Sequence, residues 1–170
     1  AGFFILFGAS WKSYIFHAST INILGTLSFY YFLKNFKINS FPITIYCLSF
    51  ATLCYPVSGT PFAYLHSYIF SLITIFLFIN ASLNKKNWIW FILPYMFFVS
   101  FFSMQTPSFY IISLVLFFSV SHFIKNNKTK NFQYFLLGSI SSLIIFLSFL
   151  FLTNTPIKSL IYQYFLFQLT

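Results

Sequence analysis

Not one of the 170 residues is aspartate or glutamate, and that absence restricts the fold more than any motif does. Ordinary amino-acid usage would put roughly 20 acids in a chain of this length. A charged side chain at the centre of a bilayer costs about 2.5 to 3.5 kcal/mol on insertion scales, so spans are emptied of acid. The rest of the composition agrees: 59% of residues are hydrophobic, 29 are phenylalanine and mean hydropathy is +0.87. A soluble core cannot absorb apolar stretches that recur along the whole chain. The same absence has a chemical consequence. The chain has no carboxylate for acid–base work, metal binding or a proton relay, so any catalytic acid must lie outside these residues.

A helix needs about 17 to 25 apolar residues to cross ~30 Å of hydrocarbon at 1.5 Å per residue. Six segments approach that length: 14–33, 41–57, 65–83, 88–102, 109–124 and 132–152. A barrel would need alternating polar and apolar residues, and the run 142–152 does not alternate. The expected fold is therefore all-α, a polytopic transmembrane bundle forming a single domain over 1–170. The chain opens at Ala1 without methionine and stops at Thr170 in a fresh apolar stretch. Residues 1–10 lack the positive region and cleavage site of a signal peptide. They read as the tail of an earlier span, a seventh span begins near Ser159, and the chain reads as a fragment of a larger membrane protein.

All nine positive charges are lysines. Lys34 and Lys37, Lys85 and Lys86, and Lys125, Lys128 and Lys130 follow spans one, three and five, leaving Lys12 and Lys158 on the opposite side. Lysine-rich loops stay cytoplasmic, which sets the orientation. Nucleic-acid binding needs basic residues clustered on a solvated face, and small groups between apolar runs do not provide one. The expected partner is the lipid bilayer, into which the chain inserts as an integral, multi-pass protein. Cys47 and Cys54 lie in one apolar run and read as small core residues.

The outer connections have a different chemistry. Residues 55–67 (YPVSGTPFAYLHS) join two spans with hydroxyls, two prolines and a glycine, and place His66 and Ser67 at a helix start. A helix N-terminus offers free N–H groups and partial positive charge, which suits a phosphate. The alternative is an interfacial turn with capping Ser and Thr. Residues 103–108 (SMQTPS) form the second candidate. Gln105 could bond a sugar hydroxyl, while Thr106 could cap a helix with Pro107 at its first position. Tyr55, Tyr64, Tyr68 and Tyr110 lie near this face, as aromatic residues do at membrane interfaces. His17, in the outer part of span one, is at a depth where it could face His66, as a polar helix contact or as a metal or proton site. No Ser–His–acid triad, phosphate-cradling Gly-rich loop or GxxxG pair is present.

These two connections resemble those of polytopic GT-C type glycosyltransferases, the bacterial relatives of dolichyl-phosphate-mannose protein mannosyltransferases. In many such chains the second loop reads much like Ser-Lys-Gln-Thr-Pro. Here Ser103, Gln105, Thr106 and Pro107 match, and Met104 stands where lysine often occurs. The first loop keeps the His66–Ser67 pair but has Tyr64 and Leu65 where an acidic or His-rich stretch often precedes it. The resemblance covers roughly residues 53–125.

The resemblance implies transfer of a sugar from a polyprenyl-phosphate carrier on the extracytoplasmic face. Thr60, His66 and Ser67 would contact the lipid phosphate or sugar, and Gln105 and Thr106 would position sugar hydroxyls. The family's catalytic aspartate would precede Ala1. No cofactor is expected; the family leaves room for a divalent metal, for which this stretch offers few ligands. The competing reading is a non-catalytic transporter, flippase or channel subunit, which would need polar groups near the bilayer midplane. Asn22, Thr74 and Ser148 are the scattered polar residues at that depth. A respiratory subunit would need intramembrane Lys or Glu, which the spans lack.

Overall fold

Ser10 starts the first described helix by local chemistry. Its backbone is extended and its hydroxyl accepts from the Ser13 N–H, while the Ser13 side chain accepts from the Ser10 N–H in a reciprocal capping box. The computed structural model describes residues 7–59, 63–84, 86–126 and 129–154, with single positions at 156, 158 and 162. Thr60, Lys85, Lys128, Ser159 and residues 1–6 lie outside the described residues.

Among the described residues the chain is all-helical, with no strand. Its long helices are α1 (Trp11–Lys34), α2 (Ser40–Gly59), α3 (Ala63–Leu83), α4 (Trp88–Ser103), α5 (Gln105–Lys125) and α6 (Thr129–Leu152). Each coincides with one of the six apolar segments, extended by up to four residues at its ends. By length and composition α3, α5 and α6 can each cross a membrane. The 16 residues of α4 make a shorter apolar rod, roughly 24 Å long at 1.5 Å per residue. Lys12, His17 and Asn22 make the 24-residue α1 more polar.

The middle of the bundle is α3. It packs against α1, α4 and α5, while α2 lies against α1 and α6 against α4. Half of the apolar window of α3 is buried, against 22% for α5 and 17% for α6, so the last two present most of their surface outward. Leu137, Ile140, Ile144, Phe149 and Phe151 of α6 are all exposed. In water a contiguous apolar face of this kind would drive association; in a bilayer it meets lipid.

Two apolar clusters fill the interior. Ala81, Ile89, Trp90, Leu93, Phe97, Val115 and Phe123 join α3, α4 and α5. Ile21, Ile69 and Ile73 join α1 to α3. Phenylalanines complete the α1–α2–α3 seam, with Phe29 stacked on Phe50 at 4.8 Å and Phe32 on Phe76 at 4.8 Å.

Helix association in lipid depends on close backbone approach and neutral hydrogen bonds, because lipid tails are as apolar as the side chains. The α4–α6 contact follows that rule. Gly138 is buried against Phe91, and a Cβ at Gly138 would overlap the Phe91 carbonyl. Tyr95 donates its hydroxyl to Ser141 Oγ at 2.9 Å, and Phe102 stacks on Phe146 at 4.3 Å. Gly25 differs, since a Cβ there would meet the flexible Phe50 ring at 3.4 Å.

The two glycines therefore respond differently to the same change. Gly138→Ala is expected to lower stability by about 1 to 3 kcal/mol, the usual cost of overpacking. Gly25→Ala should keep or slightly raise it, since Ala exceeds Gly in helix propensity by about 1 kcal/mol. Thermal unfolding of the purified chain in detergent checks both; equal behaviour of the two variants would contradict the close α4–α6 approach.

Candidate functional site

The ends of α3, α4 and α5 that carry the two motif segments are shaped by one residue. Met104 has extended backbone (φ −163°, ψ 133°) and serves at once as C-cap of α4 and N-cap of α5. The segment 103–108, expected as a loop, is therefore helical except at Met104. The expected Thr106 cap with Pro107 at the first helical position is not what forms. The helix already starts at Gln105, Pro107 occupies its third position, and the cap carries no side-chain hydrogen bond. Proline is tolerated there because the N–H groups of the first turn have no intrahelical acceptor. The other outer connection is short too, since α2 runs to Gly59 and α3 starts at Ala63.

Breaking the helix at Met104 takes carbonyls of the last α4 turn out of the ladder. Ser100 O keeps its ladder bond and takes hydroxyls in addition. Ser108 Oγ donates to it at 2.8 Å, the Met104 N–H reaches it at 3.3 Å, and Ser67 Oγ lies 3.5 Å away. Ser67 Oγ also donates to Met104 O at 3.1 Å and is in contact with Ser108 Oγ. Ser100 Oγ bonds Ser108 Oγ and Ser71 Oγ, each at 2.8 Å. Ser67, Ser100 and Ser108 are fully buried and Ser71 nearly so. Three helices thus meet in a dry, neutral hydroxyl cluster linking the first motif segment to the second.

Beside this cluster an open groove of about 740 Å³ runs between α3 and α5. Tyr64 and Tyr68 form one wall, Thr106, Pro107 and Tyr110 the other, and Leu72, Ile75 and Ile111 make an apolar floor. Tyr64 on one wall and Thr106 and Pro107 on the other belong to the two expected site segments, and Tyr68 and Tyr110 follow directly after them.

The expected site residues take different places. Thr106 is exposed on the groove wall. Gln105 is half-buried at the start of α5. Ser67 lies under the groove with its hydroxyl engaged by Met104 and Ser108. His66 is buried facing α1, its ring 5.0 Å from that of His17 and 6.4 Å from Phe70, so the two histidines do meet. Thr60 lies outside the described residues. Sequence reasoning missed Ser71, Ser100 and Ser108. The Ser67/Ser71 pair, four residues apart on an otherwise apolar helix, was the available signal.

Among the described residues no three His, Cys, Asp or Glu side chains come together as a metal set. Among the described residues the His17–His66 pair offers fewer than the three protein ligands of a catalytic zinc site.

Removing a hydroxyl from the cluster tests its structural role. Ser100→Ala breaks the bonds to Ser71 and Ser108 and is expected to cost about 1 to 2 kcal/mol, the range for interhelical hydrogen bonds in lipid. Ser28→Ala, whose exposed hydroxyl bonds only its own helix at Leu24, should cost nothing measurable. Denaturant titration in mixed micelles reads both, and an unaffected Ser100→Ala would remove the cluster from the account. Compared with protein-family models, curated proteins and solved structures, the chain matches none.

Proposed function

We propose that the chain is part of an integral membrane glycosyltransferase that takes its sugar from a polyprenyl-phosphate carrier at the outer face. The observation that carries this reading is the groove between α3 and α5. Its walls carry Tyr64 of the 55–67 segment and Thr106 and Pro107 of the 103–108 segment, the pair on which the resemblance to GT-C enzymes rests, with Tyr68 and Tyr110 just beyond them. An apolar floor of Leu72, Ile75 and Ile111 suits an isoprenoid chain reaching in from the bilayer. The hydroxyls of Tyr64, Tyr68, Tyr110 and Thr106 suit a phosphate or sugar at its outer end.

In this reading Thr106 and Gln105 hold sugar hydroxyls. Ser67 keeps the two segments in register through Met104 and Ser108 and does not touch the carrier. His66, paired with His17, supports the α1 side of the site. The acceptor oxygen bonds the anomeric carbon of the sugar as the bond from that carbon to the carrier phosphate breaks, polyprenyl phosphate leaves, and the acceptor proton passes to a general base, which is not a carboxylate of these 170 residues.

The transporter reading has less to support it. Asn22 donates to Ala51 O at 2.9 Å and so ties α1 to α2, Thr74 bonds its own helix at Phe70, and Ser148 is exposed on α6. These groups serve helix contacts or face outward.

Gln105→Ala and Thr106→Val, each in the full-length protein, are expected to lower transfer from a radiolabelled polyprenyl-phosphate sugar about tenfold, the loss of one hydrogen bond of about 1.4 kcal/mol. Expression and unfolding temperature should stay unchanged. Full transfer activity in both variants would count against the proposal.

A further inference from the structure

A second groove lies at the other end of the same helix pair, where the lysines gather. It holds about 450 Å³ between the C-terminal turns of α3 and α5, and its walls include Ser82, His122, Lys125 and Asn126 over Phe78 and Phe118. Nothing in the proposed transfer reaction uses it.

Three features distinguish it from an ordinary dimple. The first is an anomaly at Ser82. Serines and threonines in these helices routinely bond the carbonyl four residues back, as Ser28, Thr74, Ser119, Ser121 and Ser139 do. The Ser82 hydroxyl oxygen is buried yet has no hydrogen-bond partner among the described residues. A buried hydroxyl in apolar surroundings normally has a partner. A second unpartnered donor sits behind the wall. Trp90 is wholly buried, its ring 5.4 Å from His122 and 6.1 Å from Phe78, and its indole N–H has no partner among the described residues.

The third feature is charge. With no acid in the chain, Lys125 can form no ion pair with another side chain of this protein. The C-termini of α3 and α5 contribute about half a negative charge each, which Lys125, itself in the last turn at the α5 end, offsets. Asn126 further masks that end by donating its amide to His122 O at 3.1 Å.

A cation, a hydroxyl donor and an aromatic floor at a membrane boundary suit one chemistry. We propose that this groove binds the phosphate of an anionic phospholipid. Lys125 pairs with the phosphate, Ser82 donates to one of its oxygens, and Phe78 and Phe118 hold the first carbons of an acyl chain. The site is independent of the glycosyltransferase reading.

The test is thermal unfolding of the purified full chain in neutral detergent, titrated with phosphatidylglycerol, phosphatidylcholine or inorganic phosphate. Phosphatidylglycerol should raise the unfolding temperature, and the other two should not. Lys125→Gln, an exposed position, should weaken the apparent affinity about fivefold, as expected for one lysine at an anionic surface. Ser82→Ala should weaken it too, and Lys34→Gln, on another connection, should not. Equal stabilisation by phosphatidylcholine overturns the proposal. So does an unaffected Lys125→Gln, or an equal loss in Lys34→Gln, which would indicate general surface charge. Stabilisation by millimolar phosphate alone would assign the groove to a free anion and overturn the lipid assignment.

Discussion

The bundle depends on buried hydroxyls meeting backbone carbonyls. Where α4 stops at Ser103, carbonyls leave the helical ladder, and an unsatisfied carbonyl in hydrocarbon costs several kcal/mol. Ser108, from the first turn of α5, adds a hydroxyl to Ser100 O, which also keeps the Met104 N–H, and Ser67, from α3, donates to Met104 O on the other side of the break. The break thereby becomes a junction of three helices. Other contacts repeat the principle with neutral groups: Asn22 on Ala51, and Asn35 bridging Asn80 at 2.6 Å and Asn84 at 2.8 Å. No carboxylate takes part anywhere in the chain, so helix pairing here proceeds without ion pairs between side chains.

That junction also explains the placement of the outer groove. Ser67 and Ser71 point one face of α3 at Ser100 and Ser108. The neighbouring face, carrying Tyr64 and Tyr68, is left beside Thr106 and Tyr110. Polar contacts inside the bundle thus fix the spacing of a mostly apolar groove at its surface. A catalytic reading needs rigid positioning of this kind, because misplacement by about 1 Å can cost a hundredfold in rate.

All six helices were legible from apolar run length, because lipid forces a helix wherever the run is long enough. The outer connections were not. Pro107 suggested a helix starting at that residue, yet proline is also tolerated later in the first turn, and Met104 supplied the break instead. The serine cluster was only half legible. Ser67 and Ser71 share a face by spacing, but Ser100 and Ser108 meet across a helix break that periodicity cannot describe. Gly138 was invisible as well. It approaches Phe91 alone, with Ser142 buried one turn on, in place of the paired glycines that announce such contacts. The His17–His66 pairing was within reach, since both were assigned to the same depth, on spans one and three.

Cross-linking at the junction tests the account most directly. With Cys47 and Cys54 replaced by alanine, Ser67→Cys and Ser108→Cys would stand where two hydroxyls are now in contact. The account predicts rapid, nearly complete disulfide formation in native membranes under a mild oxidant. The pair Ser67→Cys and Ser148→Cys, between helices that do not pack together, should give none. Failure of the Ser67–Ser108 pair to cross-link, in a chain that still folds and inserts, would contradict the junction and the groove positioned by it.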